Sequence, residues 1–123
     1  MDSEQFERIA QEVLDSLPDM FQQKMENVHI VVEDLPSDET VRKMRLSSQS
    51  LLLGLYEGIP LTQRGTFYGT AATLPDKITL YKKNIERVAR SETVLREKIR
   101  EVLIHEIAHY YGMTEEQVRN AGY

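Results

Sequence analysis

The segment from Val102 to Gly112 constrains this chain more than any other. It contains His105 and His109, two of the three histidines in the protein, and Glu106 directly follows the first of them. On a helix, residues four apart lie on one face with Cβ atoms roughly 5–6 Å apart, so the two imidazoles can bind one Zn²⁺ ion at about 2.0–2.1 Å. Glu106 is rotated by about 100° from His105. It therefore lies beside the metal, where a general base acts on a zinc-bound water.

Two histidines at this spacing also arise by chance on ordinary surface helices, so the surroundings of the motif matter. The residues that flank it are uncharged, in a protein in which 28% of the residues are charged. A glycine, Gly112, and then a carboxylate, Glu115, follow the second histidine. Together these features favour a metal site over an accidental pair.

The third metal ligand requires the chain to turn, because one straight helix offers no further residue on the same face. Gly112 permits the turn by accepting a positive φ, and Glu115 then folds back toward the metal. Two imidazoles, one carboxylate and one open position describe a catalytic zinc site rather than a structural one. Any acid is favoured at Glu115 by the helix dipole, so Glu116, a side chain from elsewhere or a water remain alternatives for the third ligand.

The composition describes one globular domain of 123 residues with 41% hydrophobic residues and a formal charge of −5. The negative charge argues against nucleic acid and anionic membranes as partners. No apolar run approaches the ~20 residues that a membrane span needs, and the first residues do not resemble a secretory signal. Because cysteine is absent, a zinc site must use histidine and carboxylate ligands. We expect a cytoplasmic monomer with one zinc ion per chain.

The N-terminal part, residues 1–27, is predicted to be helical. Ser3 is the predicted N-cap of a first helix that ends at Pro18, and a short second helix follows with Phe21 and Met25 facing inward. An apolar stripe along the first helix marks its buried face: Phe6, Ile9, Ala10, Val13, Leu14 and Leu17.

Residues 28–90 are predicted to form a sheet and loops. Alternation predicts a strand from Val28 to Glu33, with His29 on its less buried face and no special role. Further strands are predicted over 51–57 and 77–82. Helical turns are predicted over Thr40 to Leu46 and around Ile85 and Val88, and residues 62–73 form a long loop.

The motif helix is predicted over 91–111, with Ser91 as its N-cap and Gly112 as the residue that ends it. A last helix is predicted over 114–121. Its start is marked by Thr114-Glu115-Glu116-Gln117, which matches the capping-box pattern.

The motif resembles the zincin metallopeptidase signature. Its extension, His105-Glu106-x-x-His109-x-x-Gly112-x-x-Glu115, is similar to the metzincin and aspzincin pattern, in which the last position is His or Asp. Glutamate at this position departs from that pattern by one methylene. Nothing in the sequence resembles the C-terminal subdomain of larger metzincins with its methionine turn, since Met113 lies inside the ligand motif.

More of the chain, roughly residues 28–123, resembles the small bacterial zincin-like metallopeptidases. This resemblance implies an α+β minimal zincin-like fold, in which a small mixed sheet packs on the motif helix. The matching pieces run in order into the zinc motif: Val28 to Asp34, Gly54 to Leu61 with Arg64, and Leu74 to Tyr81.

We therefore predict a single-zinc hydrolase, most simply a peptidase, with Glu106 as the base that takes a proton from water and passes it to the leaving amine. We expect its substrate to be a peptide or a small molecule. Tyr56, Tyr68, Tyr110 and Arg64 are candidates for stabilising an oxyanion. A peptide substrate also needs a strand edge to pair with, and strand 51–57 or strand 77–82 is the candidate.

Two alternatives to the peptidase remain open. The first is a zinc-binding zincin-like domain without peptidase activity that serves as an interaction or regulatory module. The second is a domain in which zinc contributes only to stability.

Overall fold

A computed structural model describes residues 1–26, 28–58 and 76–120 of the chain. Its helices are α1 (Ser3–Asp15), α2 (Asp19–Lys24), α3 (Asp38–Lys43), α4 (Lys82–Val88), α5 (Glu92–Tyr110) and α6 (Glu115–Asn120), and its strands are β1 (Val28–Glu33), β2 (Gly54–Glu57) and β3 (Asp76–Tyr81). A short 3₁₀ helix spans Gln49–Leu51. No helix in these described ranges is long and apolar enough to cross a membrane. The predicted loop 62–73 lies outside the described residues.

The three strands form one mixed sheet in the order β1-β3-β2. β1 pairs parallel to β3, with Val28 opposite Asp76, and β2 pairs antiparallel to β3, with Gly54 opposite Leu80. β3 is therefore the central strand, and the side chains of Ile78 and Leu80 are fully buried. A small mixed sheet packed against helices is the architecture expected of a minimal zincin-like domain.

The strand predicted over 51–57 begins only at Gly54, so its first three residues are a correction to the prediction. Gln49–Leu51 forms a 3₁₀ helix instead, capped by the Ser48 side chain. The buried side-chain amide of Asn84 donates to the backbone carbonyls of Gln49 and Leu52, at 2.6 and 2.8 Å. These carbonyls therefore bond to a side chain rather than to a neighbouring strand.

The first helix buries the predicted stripe. Phe6, Ile9, Ala10, Val13 and Leu14 all lie in the core, as does Leu17 after the helix. The predicted N-cap was wrong by one residue, because Asp2 rather than Ser3 caps the helix. The Asp2 carboxylate accepts the Gln5 backbone N–H at 2.8 Å, and the Gln5 side chain accepts the Asp2 N–H at 3.2 Å. This reciprocal pair is a capping box, which satisfies two backbone donors at once.

The motif helix α5 packs against α1 and β2. Its buried face includes Ile99, Leu103 and Ile107, none of which is exposed to solvent. A Cβ atom on Gly54 would lie 2.5 Å from Cγ1 of Val102, so β2 approaches the helix more closely than any side chain at position 54 would allow. This close approach places the first residue of β2 beside the middle of α5.

Helix α3 ends on a strained residue. Arg45 has φ 55°, and its N–H donates to the Arg42 carbonyl while Leu46 N–H donates to the Val41 carbonyl, at 3.1 and 2.9 Å. This is the Schellman arrangement, which usually places glycine at the left-handed position. A side chain in that conformation costs about 1 kcal/mol or more.

We expect Arg45→Gly to stabilise the protein by about 0.5–1 kcal/mol, because glycine adopts positive φ without strain and the gain is reduced by its greater freedom in the unfolded chain. The free energy of unfolding in urea measures the change. Arg45→Ala is the matched control, since alanine keeps the strained Cβ and should give no such gain. Equal stability of the glycine and alanine variants would contradict the prediction.

Burial of the Tyr81 phenol makes the stability of the protein fall at alkaline pH. Its side chain is 2% exposed, and burial, followed by the negative charges of Glu33 and Glu57, raises the pKa of its phenol to about 12, against the opposing hydrogen bond with Thr40. In the unfolded chain the phenol has a pKa of about 10. Above pH 10 the unfolded state therefore loses this proton while the native state keeps it, so stability falls as the pH rises toward 12.

We expect Tyr81→Phe to reduce the loss of unfolding free energy between pH 9 and pH 11.5 by up to roughly 2 kcal/mol, because phenylalanine has no proton to lose. Urea unfolding across this pH range measures the difference from the parent protein. Thr40→Val is the control, since it removes the same hydrogen bond but keeps the phenol and should retain the full alkaline loss. An equal loss of unfolding free energy at alkaline pH in Tyr81→Phe and in the parent protein would refute the assignment of this loss to the Tyr81 phenol.

Candidate active site

The motif helix presents both motif histidines to solvent. Ser91 caps it as predicted, with its side chain accepting the Val94 backbone N–H at 3.2 Å. The buried side chains of Leu103 and Ile107 hold the opposite side of the helix in the core. Because this packing fixes the rotation of the helix, His105 and His109 lie exposed on successive turns.

Both histidines and Glu106 line one open cleft of about 700 Å³. This volume falls in the range typical of sites that bind small ligands. The other described lining residues come from the end of the motif helix and from α6: Ala108, Met113, Val118 and Arg119. The structure thus brings together the three motif residues that the sequence predicted to act together.

Glu106 is half-buried and tied to the sheet. Its Oε1 atom accepts a hydrogen bond from the backbone N–H of Tyr56 at 2.9 Å. Burial raises the pKa of the Glu106 carboxyl above its ordinary value, although the Tyr56 N–H and then the charges of His109 and His105 act in the opposite direction. A carboxylate with a raised pKa accepts a proton more readily near neutral pH, which suits a general base.

The N–H of Tyr56 points away from β3. Tyr81 N–H donates to the Leu53 carbonyl at 3.0 Å, which makes Leu53 and Tyr81 a hydrogen-bonded pair of the antiparallel ladder. Such pairs alternate with pairs whose backbone groups point outward, so Tyr56 directs its N–H to the outer edge of β2. Glu106 therefore binds the strand edge next to the cleft.

Tyr56 also belongs to an aromatic cluster beside the site. Its ring stacks on Tyr110 with centroids 4.0 Å apart, and Tyr110 contacts Tyr111 edge-on at 5.2 Å. The Tyr56 hydroxyl donates to Asp76 at 2.9 Å. Burial and then this hydrogen bond to Asp76 raise the pKa of Tyr56 strongly, so its phenol stays protonated.

These contacts bear on the residues predicted to stabilise an oxyanion. The Tyr56 hydroxyl already donates to Asp76, whereas Tyr110 is 48% exposed and its hydroxyl lies against Gly58. A Cβ at position 58 would lie 2.5 Å from that oxygen. The other two candidates, Tyr68 and Arg64, lie outside the described residues.

The chain turns after the motif helix at the predicted glycine. Gly112 has φ 65°, and its N–H donates to the His109 carbonyl at 3.2 Å while Met113 N–H donates to the Ala108 carbonyl at 2.8 Å. These two bonds define a Schellman motif. Half-buried Met113 packs against the core directly after the turn, so the chain reverses beside the cleft.

The predicted capping box then starts α6. Thr114 N–H donates to the Gln117 side chain at 2.8 Å, and Gln117 N–H donates to the Thr114 hydroxyl at 3.1 Å. Glu115 is the first residue of this helix, but its side chain lies outside the described part of the structure. Glu116, the alternative ligand, is exposed. The third ligand therefore stays a prediction.

A zinc ion suits the donors that the structure does describe. Zinc binds imidazole nitrogen and carboxylate oxygen, and two exposed imidazoles one turn apart face the cleft with a carboxylate beside them. Within the described side chains, no group of three histidine, cysteine or acidic residues is placed to hold a metal. The fit thus rests on the two histidines of α5, and the third ligand predicted at the start of α6 lies outside the described side chains.

Sequence reasoning missed three contributors to the site. The Tyr56 N–H is a backbone group, and no sequence pattern assigns it to Glu106. Val118 and Arg119 line the cleft from α6, and the only sequence signal for them was their position within one turn of the predicted ligand Glu115. Asp2 and the 3₁₀ helix, by contrast, lie outside the described lining of the cleft.

Comparison with known proteins supports the predicted resemblance. The chain shows no significant similarity to any individual curated protein. A family model described as zincin-like metallopeptidase matches residues 25–123, which include the whole sheet, the motif helix and α6. The predicted resemblance over roughly residues 28–123 is thereby confirmed, and the chain belongs to the zincin-like metallopeptidase family.

Proposed function

We propose that this protein is a zinc-dependent peptidase. The zinc ion is held by His105, His109 and Glu115, and Glu106 is the general base. One observation carries the proposal: the half-buried Glu106 carboxylate lines the same cleft as the paired histidines and is anchored by the Tyr56 N–H. A structural role for this carboxylate alone would not explain the two exposed imidazoles beside it.

When bound, zinc supplies Lewis-acid polarisation of a peptide carbonyl and makes water more acidic. The protein's own contribution centres on Glu106. Because Oε1 accepts the Tyr56 N–H, we assign to Oε2 the acceptance of a proton from the attacking water. The same atom then returns the proton to the leaving amine, as a general base and acid do in turn.

The sheet narrows the choice of strand for a peptide substrate. β3 pairs on both sides, so the predicted strand 77–82 does not offer an edge. Among the described strands, β2 lies at the edge that borders Glu106 and the cleft. An extended peptide that docks there extends the sheet through its backbone groups.

A cytoplasmic location and a monomeric state stay predictions.

A second function is favoured by the same contact. The outward N–H of Tyr56 already bonds to Glu106, which removes one donor from the edge that a peptide would use. On this view the protein binds zinc without cleaving peptides and serves as an interaction or regulatory module. Zinc bound at one ion per chain with no turnover of any peptide would select it.

We expect about one zinc ion per chain in the purified, untagged protein, as measured by elemental analysis. His109→Ala and Glu115→Ala should each lower the zinc content at least tenfold under dialysis, because removing one of three ligands weakens binding strongly. Glu116→Ala is the matched control and should retain zinc. Zinc retained in Glu115→Ala but lost in Glu116→Ala would move the third ligand by one residue.

We expect Glu106→Gln to lower kcat on a peptide library by roughly 10²–10⁴-fold, the range typical of general-base catalysis. Glutamine keeps an oxygen to accept the Tyr56 N–H but cannot take the proton. Zinc content and thermal unfolding of this variant serve as controls and should show a folded, metal-bound protein. Unchanged turnover with zinc bound would eliminate Glu106 as the base.

A further inference from the structure

We infer that Arg119 recognises a carboxylate of the peptide substrate, with an apolar side chain of the substrate lying against Met113 and Val118. This inference rests on the proposed peptidase function and adds the substrate class. It favours peptides that present a carboxylate close to the bond that is cleaved.

The described lining of the cleft has two unlike sides. One side carries the motif residues His105, Glu106 and His109, and the other carries Met113, Val118 and Arg119. Arg119 is the one lysine or arginine among the described lining residues. A substrate held at the histidines therefore faces an apolar wall that bears a single guanidinium.

The Arg119 guanidinium has no ion-pair partner among the side chains that the structure describes. Arg119 is exposed, and an arginine side chain presents a cation with five N–H donors in a planar fork. In a chain with 20 acidic residues against 15 basic ones, an arginine that lines the cleft without such a partner favours an anionic ligand. A carboxylate matches the planar fork of a guanidinium through two parallel hydrogen bonds.

The helix that carries Arg119 is anchored by the residues that precede Arg119 in the chain. The Thr114–Gln117 capping box fixes its first turn. Half-buried Val118 packs against the core, as does Met113 before the helix. Arg119 follows directly after this anchor, so its backbone position relative to the cleft is set by packing and not by the side chain itself.

The apolar wall of the cleft indicates which substrate group lies next to the carboxylate that Arg119 binds. Met113 has an unbranched, adaptable side chain that accommodates ligands of different shape, and Val118 and Ala108 add apolar surface. A peptide that ends in a residue such as leucine places its apolar side chain and its α-carboxylate next to each other. An aspartate or glutamate side chain within the peptide supplies the same carboxylate from a different source.

Glu115 is a second candidate partner for Arg119, on the spacing of the two residues in the sequence. Arg119 lies four residues after Glu115, a spacing at which glutamate and arginine attract each other on a helix. If Arg119 acted by holding Glu115, it would be a positioning residue for the metal, and its loss would weaken zinc binding. The substrate role and the positioning role therefore predict different measurements.

Turnover of three short peptides by the zinc-loaded protein separates these roles. The first ends in leucine with a free carboxylate, the second is its C-terminal amide, and the third is an amide that carries aspartate at the terminal position. In Arg119→Met we expect kcat/KM for the free acid to fall roughly 10–100-fold, mainly through KM, because a charge-assisted hydrogen bond is lost. The plain amide should be unaffected, and Arg119→Lys should recover part of the loss.

The aspartyl amide identifies the source of the carboxylate. If it is cleaved as well as the free acid and depends equally on Arg119, an acidic side chain serves; if it resembles the plain amide, the chain terminus is required. Arg42→Met is the matched control, since it removes one exposed arginine from α3, which is not part of the described cleft lining, and it should change none of the three rates. A preference for the free acid that persists undiminished in Arg119→Met would overturn the inference.

Two further measurements keep this test separate from that of the peptidase function. Zinc content must be unchanged in Arg119→Met; a loss of zinc would assign Arg119 to positioning Glu115 and reject the substrate role. Binding of N-acetyl-leucine and N-acetyl-leucinamide to the zinc-loaded Glu106→Gln variant, monitored by NMR, needs no turnover. We expect the acid to bind more tightly than the amide, and only in proteins that keep Arg119. Equal binding of both compounds would overturn carboxylate recognition, whereas discrimination without any turnover would reject only the peptidase proposal.

Discussion

The packing of the motif helix against β2 is the constraint on which the site depends. The helix can approach the strand because Gly54 has no side chain, and a Cβ there would collide with Val102. Fully buried residues such as Leu103 and Ile107 fix the rotation of the helix about its axis. With the rotation fixed, the two motif histidines face the cleft, and Glu106 falls between the helix and the strand edge.

That placement explains why Glu106 is suited to chemistry although it is unfavourable for stability. Moving a carboxylate out of water disfavours its charged form, and here burial raises its pKa. The Tyr56 N–H offsets part of this cost by donating to Oε1. The same bond orients the carboxylate, because one oxygen is held by the strand and the other is directed to the proposed proton transfer. The edge of β2 and the proposed base Glu106 are therefore joined by one hydrogen bond that positions the carboxylate.

The far side of the cleft is built by a different kind of interaction. The turn at Gly112 and the start of α6 are held by hydrogen bonds between residues three to five apart. These local bonds bring Met113, Val118 and Arg119 back over the end of the motif helix. The cleft therefore combines a proposed catalytic side set by tertiary packing with a proposed recognition side set by a short, locally specified turn.

The sequence by itself determined the features whose physical cause is local: the cap at Ser91, the left-handed residue at Gly112, the capping box at Thr114 and the pairing of His105 with His109 on one face. Even locally the predicted N-cap Ser3 was wrong, because the adjacent Asp2 forms the reciprocal pair of hydrogen bonds with Gln5. Tertiary structure alone decided that β3 is central, that β2 starts at Gly54, and that Glu106 accepts the N–H of a residue 50 positions away. The physical reason is that backbone donors are identical along the chain, so only the packed arrangement of helix and sheet selects which of them meets a given carboxylate.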